Sequence, residues 1–137
     1  MYNFRLNKKQ SVFNVKILLL IGSGGFVGSI LRYVVSQSVQ NKFLSSFPYG
    51  TMSVNIIGSL LIGVVYGLVE KGNLSPEARL FLATGILGGF TTFSAFTLDA
   101  LNLLQEGLWL ESISYILLSV VLGVVAAFLG IFIIKLI

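Results

Sequence analysis

Apolar positions fill the chain in four long runs, and the polar positions gather in short connections between them. The runs cover roughly residues 15–37, 50–69, 79–104 and 111–134. Each is long enough for a helix to cross the hydrocarbon of a bilayer, which takes ~20 residues. The connections are "NKFLSSFPY", "EKGNLSPEA" and "QEGLW". They carry Pro, Gly and Asn, and Ser75–Pro76 reads as a helix start. No stretch remains for a soluble domain. The pattern predicts an all-α membrane protein, a single four-helix domain over residues 1–137.

Inside the runs, polar residues fall in register. In the second, Thr51, Asn55 and Ser59 recur every four residues and share one helix face. Asn55 is either interhelical glue, worth ~1 kcal/mol, or a donor aimed at a ligand. In the fourth, Ser112, Tyr115 and Ser119 form a second stripe at spacings of three and four. A serine there can bond back to its own helix or line a narrow wet path, but a phenol does not easily reach its own backbone. The third run contains "GGFTTFSAF", residues 88–96. Gly88 and Gly89 tolerate torsions that other residues avoid, and Thr91, Thr92 and Ser94 can satisfy freed backbone groups. This predicts a helix broken near Gly88–Thr92, whose carbonyls suit a hard cation such as Na⁺. Phe93 and Phe96 project from one face, either as packing residues or with positive ring edges turned toward a small anion. Small residues pair at Gly24/Gly28, Gly63/Gly67, Gly85/Gly89 and Ala126/Gly130. Such pairs let helices approach closely, and their number favours an oligomer.

Composition narrows the chemistry. The chain is 55% hydrophobic and 10% charged, with a mean hydropathy of +0.95; a soluble domain carries about 25% charged residues. It holds no Cys and no His, which removes thiol and imidazole chemistry and the usual zinc sites, so no enzyme is expected. No Ala precedes Ala78, so no Ala-x-Ala cleavage site follows the first apolar run, which is read as a retained span. The net charge of +4 reflects topology rather than nucleic acid. With four spans, Arg5, Lys8, Lys9, Lys16, Lys71, Arg79 and Lys135 share one side and Lys42 stands opposite, a bias that predicts cytoplasmic termini. Arg32 lies near the end of the first span, where it either snorkels or serves a function. Asp99 and Glu111 are placed at span ends, where charge is cheap, and no acid lies deep in a span. That counts against a small multidrug-type cation transporter, one alternative reading. An accessory membrane subunit without a pathway is the other.

The stretches "GGFVGSILRY" (24–33), "FPYGTMSVNIIGSLLIG" (47–63) and "GILGGFTTFSAF" (85–96), in this order on four spans, resemble the small fluoride channels of the Fluc (CrcB) family. The resemblance covers nearly everything after the first 15 or so residues. It implies passive, fluoride-selective export across the cell membrane, relieving fluoride toxicity. It also implies an antiparallel, dual-topology dimer with two ion paths. On that resemblance Asn55, Phe93, Phe96, Tyr115 and Ser119 line the fluoride path. The carbonyls of Gly88 and Thr91 hold a structural Na⁺ at the dimer centre, and Arg32 and Thr51 are vestibule or structural positions. Gly123 departs from the family, which often has Ser or Thr there. The charge bias departs from balanced dual insertion, which leaves a homodimer and a pair with a paralogous partner chain both open.

Overall fold

The computed structural model describes residues 14–137, so Arg5, Lys8 and Lys9 of the charge bias lie outside the described residues. Four rods of helix span Val15–Gln40, Tyr49–Glu70, Pro76–Gln105 and Trp109–Leu136, each long and apolar enough to cross a membrane. We label Val15–Gln40 α1 and Tyr49–Glu70 α2. The third rod comprises α3 (residues 76–90) and α4 (Phe93–Gln105), and Trp109–Leu136 is α5.

The ends follow local chemistry. Asn14 caps α1 by accepting from Lys16 N at 3.0 Å, and Ser75 caps α3 by accepting from Ala78 N at 3.1 Å, with Pro76 in the first turn. Gly72 and Gly107, at φ of 72° and 78°, close α2 and α4. In each case the residue after the glycine donates back five positions, Asn73 N to Leu68 O and Leu108 N to Leu103 O, both at 2.9 Å. The helices overrun the apolar runs by one to three residues at most ends. Hydropathy locates the hydrocarbon, whereas helices continue into the headgroup zone until a cap stops them.

Two glycine seams bring the rods together. Along α1 and α3, Gly24 meets Phe81 and Gly85, while Gly28 meets Ile86 and Phe90; the common offset makes the two helices parallel. Along α2 and α5, Gly63 meets Ala127 and Ile131 while Gly67 meets Ile134, and Gly130 meets Leu60 and Val64. A Cβ on Gly24 would lie 2.8 Å from the Phe81 carbonyl oxygen and 2.9 Å from the Gly85 Cα, so only glycine permits this approach. The small-residue pairs read as favouring an oligomer therefore close inside one subunit. Six of their glycines meet backbone of the same chain and Gly67 meets the Ile134 side chain, so the case for a second chain has to rest elsewhere.

The glycine pair of the third run also acts differently from expectation. Gly88 is helical, at φ −63° and ψ −36°, and Gly89 lies within the helical turn Gly88–Phe90. The departure from helical torsions falls on Thr91 (φ −86°, ψ 159°) and Thr92 (φ −152°, ψ 123°), extended values that any L residue adopts. Gly89 supplies closeness instead: a Cβ there would lie 3.0 Å from the Gly25 Cα. Immediately before, Leu80–Leu87 is π-helical, a wide turn that tends to occur at functional sites and that the apolar pattern does not announce.

Large apolar side chains face outward along every span, among them Leu19, Phe26, Leu117 and Phe128, while Val54, Leu103, Tyr115 and Ser112 are fully buried. That is the reverse of a water-soluble surface and fits a hydrocarbon solvent. The chain is a multi-pass membrane protein.

Gly24→Ala is expected to destabilise the fold by about 1–3 kcal/mol through overpacking against backbone. Gly22→Ala, where no atom lies within 4 Å of the added methyl, is expected to be neutral or slightly stabilising. Thermal unfolding of purified protein in detergent checks the pair.

Candidate functional site

The extended pair Thr91–Thr92 interrupts the hydrogen-bond ladder of the third rod in the middle of a span. Thr92 N, which would donate to the Gly88 carbonyl in a continuous helix, donates to Asn55 Oδ1 at 2.8 Å, and Asn55 Nδ2 donates to the Thr92 carbonyl at 3.0 Å. A backbone N–H cannot accept and a carbonyl cannot donate, so the two bonds also decide which way round the amide sits. Asn55 keeps one N–H uncommitted. Arg32 Nη1 donates to the Thr91 carbonyl at 3.3 Å. Thr91 Oγ1 folds back on Leu87 O at 2.9 Å, and Thr92 Oγ1 caps α4 by accepting from Ala95 N at 3.2 Å.

An open cleft of about 460 Å³ adjoins this interruption and is lined by Asn55, Ser59, Gly88, Thr91, Thr92, Phe93, Phe96 and Ser119, with Gly58, Ile62, Ala83, Leu87 and Val120. None of these residues is charged. The Phe93 and Phe96 rings lie 5.6 Å apart at 36°, and Phe96 continues to Tyr115 at 5.2 Å. Phe47 meets Tyr115 edge-on, at 5.7 Å and 86°. Phe93 is 76% exposed, on the outward side of the subunit.

The stripe on α5 divides by role. Ser112 Oγ donates to the Ala100 carbonyl at 2.9 Å and ties α5 to α4. Ser119 Oγ is buried with no hydrogen-bond partner among the described residues, and Tyr115 Oη is buried beside Asp99 and Thr51 without a hydrogen bond of good geometry to either. By contrast, Ser59 Oγ donates to Asn55 O of its own helix at 2.8 Å. Buried hydroxyls without partners are rare and point to water or a ligand as the missing acceptor. Gly123 lies beside Ser59, whose Oγ would be 3.4 Å from a Cβ placed there, so a hydroxyl from α2 borders the gap left on α5.

Of the nine positions singled out in the sequence, Asn55, Phe93, Phe96, Ser119, Gly88 and Thr91 share the cleft, and Tyr115 stacks behind Phe96. Arg32 and Thr51 instead line a second cavity, of about 390 Å³, with Ser29, Tyr33, Ser36 and Ser94. Thr92 borders both cavities and forms the wall between them. Asp99, read as a span-end acid, instead turns a buried Oδ2 toward Tyr115 on the inward side of α4. Its place was legible in the spacing, since Phe93, Phe96 and Asp99 recur every three residues. Thr92 was named only for its hydroxyl, because a backbone N–H or carbonyl leaves no trace in the side-chain pattern.

The cleft can offer uncharged donors to a small anion: one amide N–H, the Ser119 hydroxyl and ring edges, with the Tyr115 hydroxyl behind Phe96. The Gly88 carbonyl has lost its Thr92 partner, and the Thr91 carbonyl has a lone pair beyond the one facing Arg32. One subunit thus presents two hard oxygen donors of the kind Na⁺ takes, fewer than a complete shell.

The family model described as CrcB-like protein, Camphor Resistance (CrcB), matches residues 19–131. A fluoride-specific ion channel FluC of Phocaeicola vulgatus is 46% identical over 117 residues, covering 85% of this chain and 97% of the relative. The protein of the same name from Parabacteroides distasonis is 48% identical over 117 residues, 85% of this chain and 91% of the relative. That of Rhizobium meliloti is 47% identical over 114 residues, 82% and 91% respectively.

Ser119→Ala removes a hydroxyl that bonds to no protein group, and Tyr115→Phe one that makes no good-geometry bond to its neighbours Asp99 and Thr51, so unfolding stability is expected to change by less than about 0.5 kcal/mol in the first and by no more than about 1 kcal/mol in the second. Ser112→Ala removes a buried bond to the Ala100 carbonyl and is expected to cost about 1 kcal/mol. Denaturation of the three variants in one detergent checks these values.

Proposed function

The chain belongs to the CrcB family of fluoride-specific ion channels, and from that premise we propose that it conducts fluoride passively out of the cytoplasm, across the cell membrane, and so relieves fluoride toxicity. It is a channel and not an enzyme. The observation that carries the mechanism is the partnerless buried hydroxyl of Ser119 in the cleft that holds Asn55 and the two phenylalanines, with the Tyr115 hydroxyl behind Phe96.

Fluoride is small and strongly hydrated, so a pore must replace its water with donors of similar total strength without trapping it. Weak neutral donors in series do this. The spare N–H of Asn55, the hydroxyls of Tyr115 and Ser119 and the edges of Phe93 and Phe96 hand the ion along the cleft. The lack of a charged residue lining the cleft keeps each station shallow. Chloride is larger and is excluded by the width of the path.

A second, antiparallel subunit closes the cleft. Support comes from the openness of the cleft on the outward face and from the exposed Phe93 ring at its rim. The Gly88 and Thr91 carbonyls of two such subunits make a four-oxygen set for a structural Na⁺ at the dimer centre. When bound, that ion supplies a fixed positive charge joining the two interruptions. Lys16, Lys71, Arg79 and Lys135 lie at one end of the bundle, where Lys16 approaches Glu77 at 3.8 Å. The bias favours cytoplasmic termini, and the second subunit is either another copy of this chain or a paralogous partner of opposite orientation.

Liposomes holding the purified protein, alone and with a co-expressed partner chain, are expected to release fluoride and retain chloride down equal gradients. Fluoride retained in both cases, beside an active control channel, would sink the assignment. Phe93→Ile and Phe96→Ile are each expected to slow fluoride release at least about tenfold, which corresponds to ~1.4 kcal/mol, with dimer mass unchanged on size exclusion.

A further inference from the structure

We infer that Arg32 and Asn55 are positioning residues that together clamp the Thr91–Thr92 backbone and thereby aim the Phe93 and Phe96 rings. The inference rests on the reading of those rings as part of the ion path, and it assigns Arg32 a role through the backbone rather than as a charge that attracts anions.

The geometry is a two-helix grip on two consecutive peptide units. From α2, Asn55 takes the N–H and the carbonyl of Thr92 at 2.8 and 3.0 Å, the two-bond pattern of a neighbouring strand. From α1, Arg32 takes the carbonyl of Thr91 at 3.3 Å. Extended backbone at mid-membrane is tolerated only where protein, water or an ion satisfies it. Here two side chains do so. Arg32 makes no ion pair among the described residues, it is half-buried, and its Nη1 is directed at this carbonyl.

The grip is transmitted over a short, stiff route. Thr92 caps α4 through Ala95 N, Phe93 is the first residue of that helix, and Phe96 stands one turn on. Moving the clamped pair therefore turns the start of α4, and both rings turn with it. Thr92 is also the wall between the two cavities, so the same grip keeps them apart. Spacing alone left Asn55 as either interhelical glue or a donor aimed at a ligand; three of its polar valences are now divided, two to backbone and one to the path.

Magic-angle-spinning NMR on the unsubstituted protein in lipid, with ¹⁵Nη-arginine and ¹³C′-threonine, tests the Arg32 contact without relying on a variant. A strong dipolar contact at roughly 4 Å is expected from an N···O approach plus the C=O bond, and its absence overturns the clamp. Hydrogen exchange of the peptide covering Thr92–Ala95 is expected to rise at least about tenfold in Arg32→Gln and in Asn55→Ala, with α1, α2 and α5 unchanged. Fluoride release by Arg32→Gln is expected to fall to the same degree at low and high ionic strength. A loss confined to low ionic strength would assign Arg32 to charge attraction and overturn the inference. So would slowed flux with unchanged exchange, or raised exchange with unchanged flux. Flux through the unsubstituted protein, run in parallel, separates the two readings. Its absence overturns the channel assignment and the aiming role with it, while the NMR contact and the exchange still report on the grip.

Discussion

The backbone in hydrocarbon has no water to bond with, and the structure is organised around the one place where its ladder lapses. Everywhere else in the spans, helix satisfies N–H and carbonyl groups internally. At Thr91 and Thr92 it does not, and three side-chain bonds from Arg32 and Asn55 make up the difference. The same lapse releases the Gly88 carbonyl and restarts the helix at Phe93, so candidate cation donors and candidate anion contacts arise a few residues apart from a single cause. The π-helical stretch Leu80–Leu87 leads into this point from the other side.

Around that point the packing is divided into closed and open parts. The glycine seams between α1 and α3 and between α2 and α5 are closed within the subunit, with backbone against backbone. Between the second and third rods, by contrast, the cleft stays open, and the Ser119 hydroxyl lining it lacks a partner. Rigid seams and an unfinished cleft are complementary. The seams hold the donors at fixed separations, and the unpaired donors make the cleft hospitable to an acceptor that the protein itself does not provide. An ion with a tight hydration shell meets neutral groups throughout, which is how a site can compensate dehydration without becoming a sink.

Much of this was legible residue by residue. The four spans, the Ser75–Pro76 start and the stripe containing Tyr115 and Ser119 follow from length, period and spacing, whereas the grouping of Asn55 with the phenylalanines came from the resemblance to the Fluc family. Three readings shifted for physical reasons. Gly88 and Gly89 were expected to bend the chain, but Gly88 is helical and the extended torsions fall to the threonines, because closeness to α1 is what the missing Cβ of Gly89 secures. The small-residue pairs were expected to argue for an oligomer, but helices of the same chain satisfy them. Asp99 was placed by its distance from the end of an apolar run, whereas its helix continues to Gln105 and turns one oxygen inward.

The sequence by itself determined the solvent, the number of spans and the inventory of donors, since these depend on local composition and on helical period. Only the tertiary structure decided which donors remain free. Whether a hydroxyl or an amide is spent on protein depends on what stands opposite it on another helix. Ser112 finds the Ala100 carbonyl and Asn55 finds Thr92, while Ser119 finds nothing. Those partners lie 12 and 37 positions away along the chain. No periodicity within one span encodes such pairings, because they are set by how two glycine-lined seams seat one helix against the next.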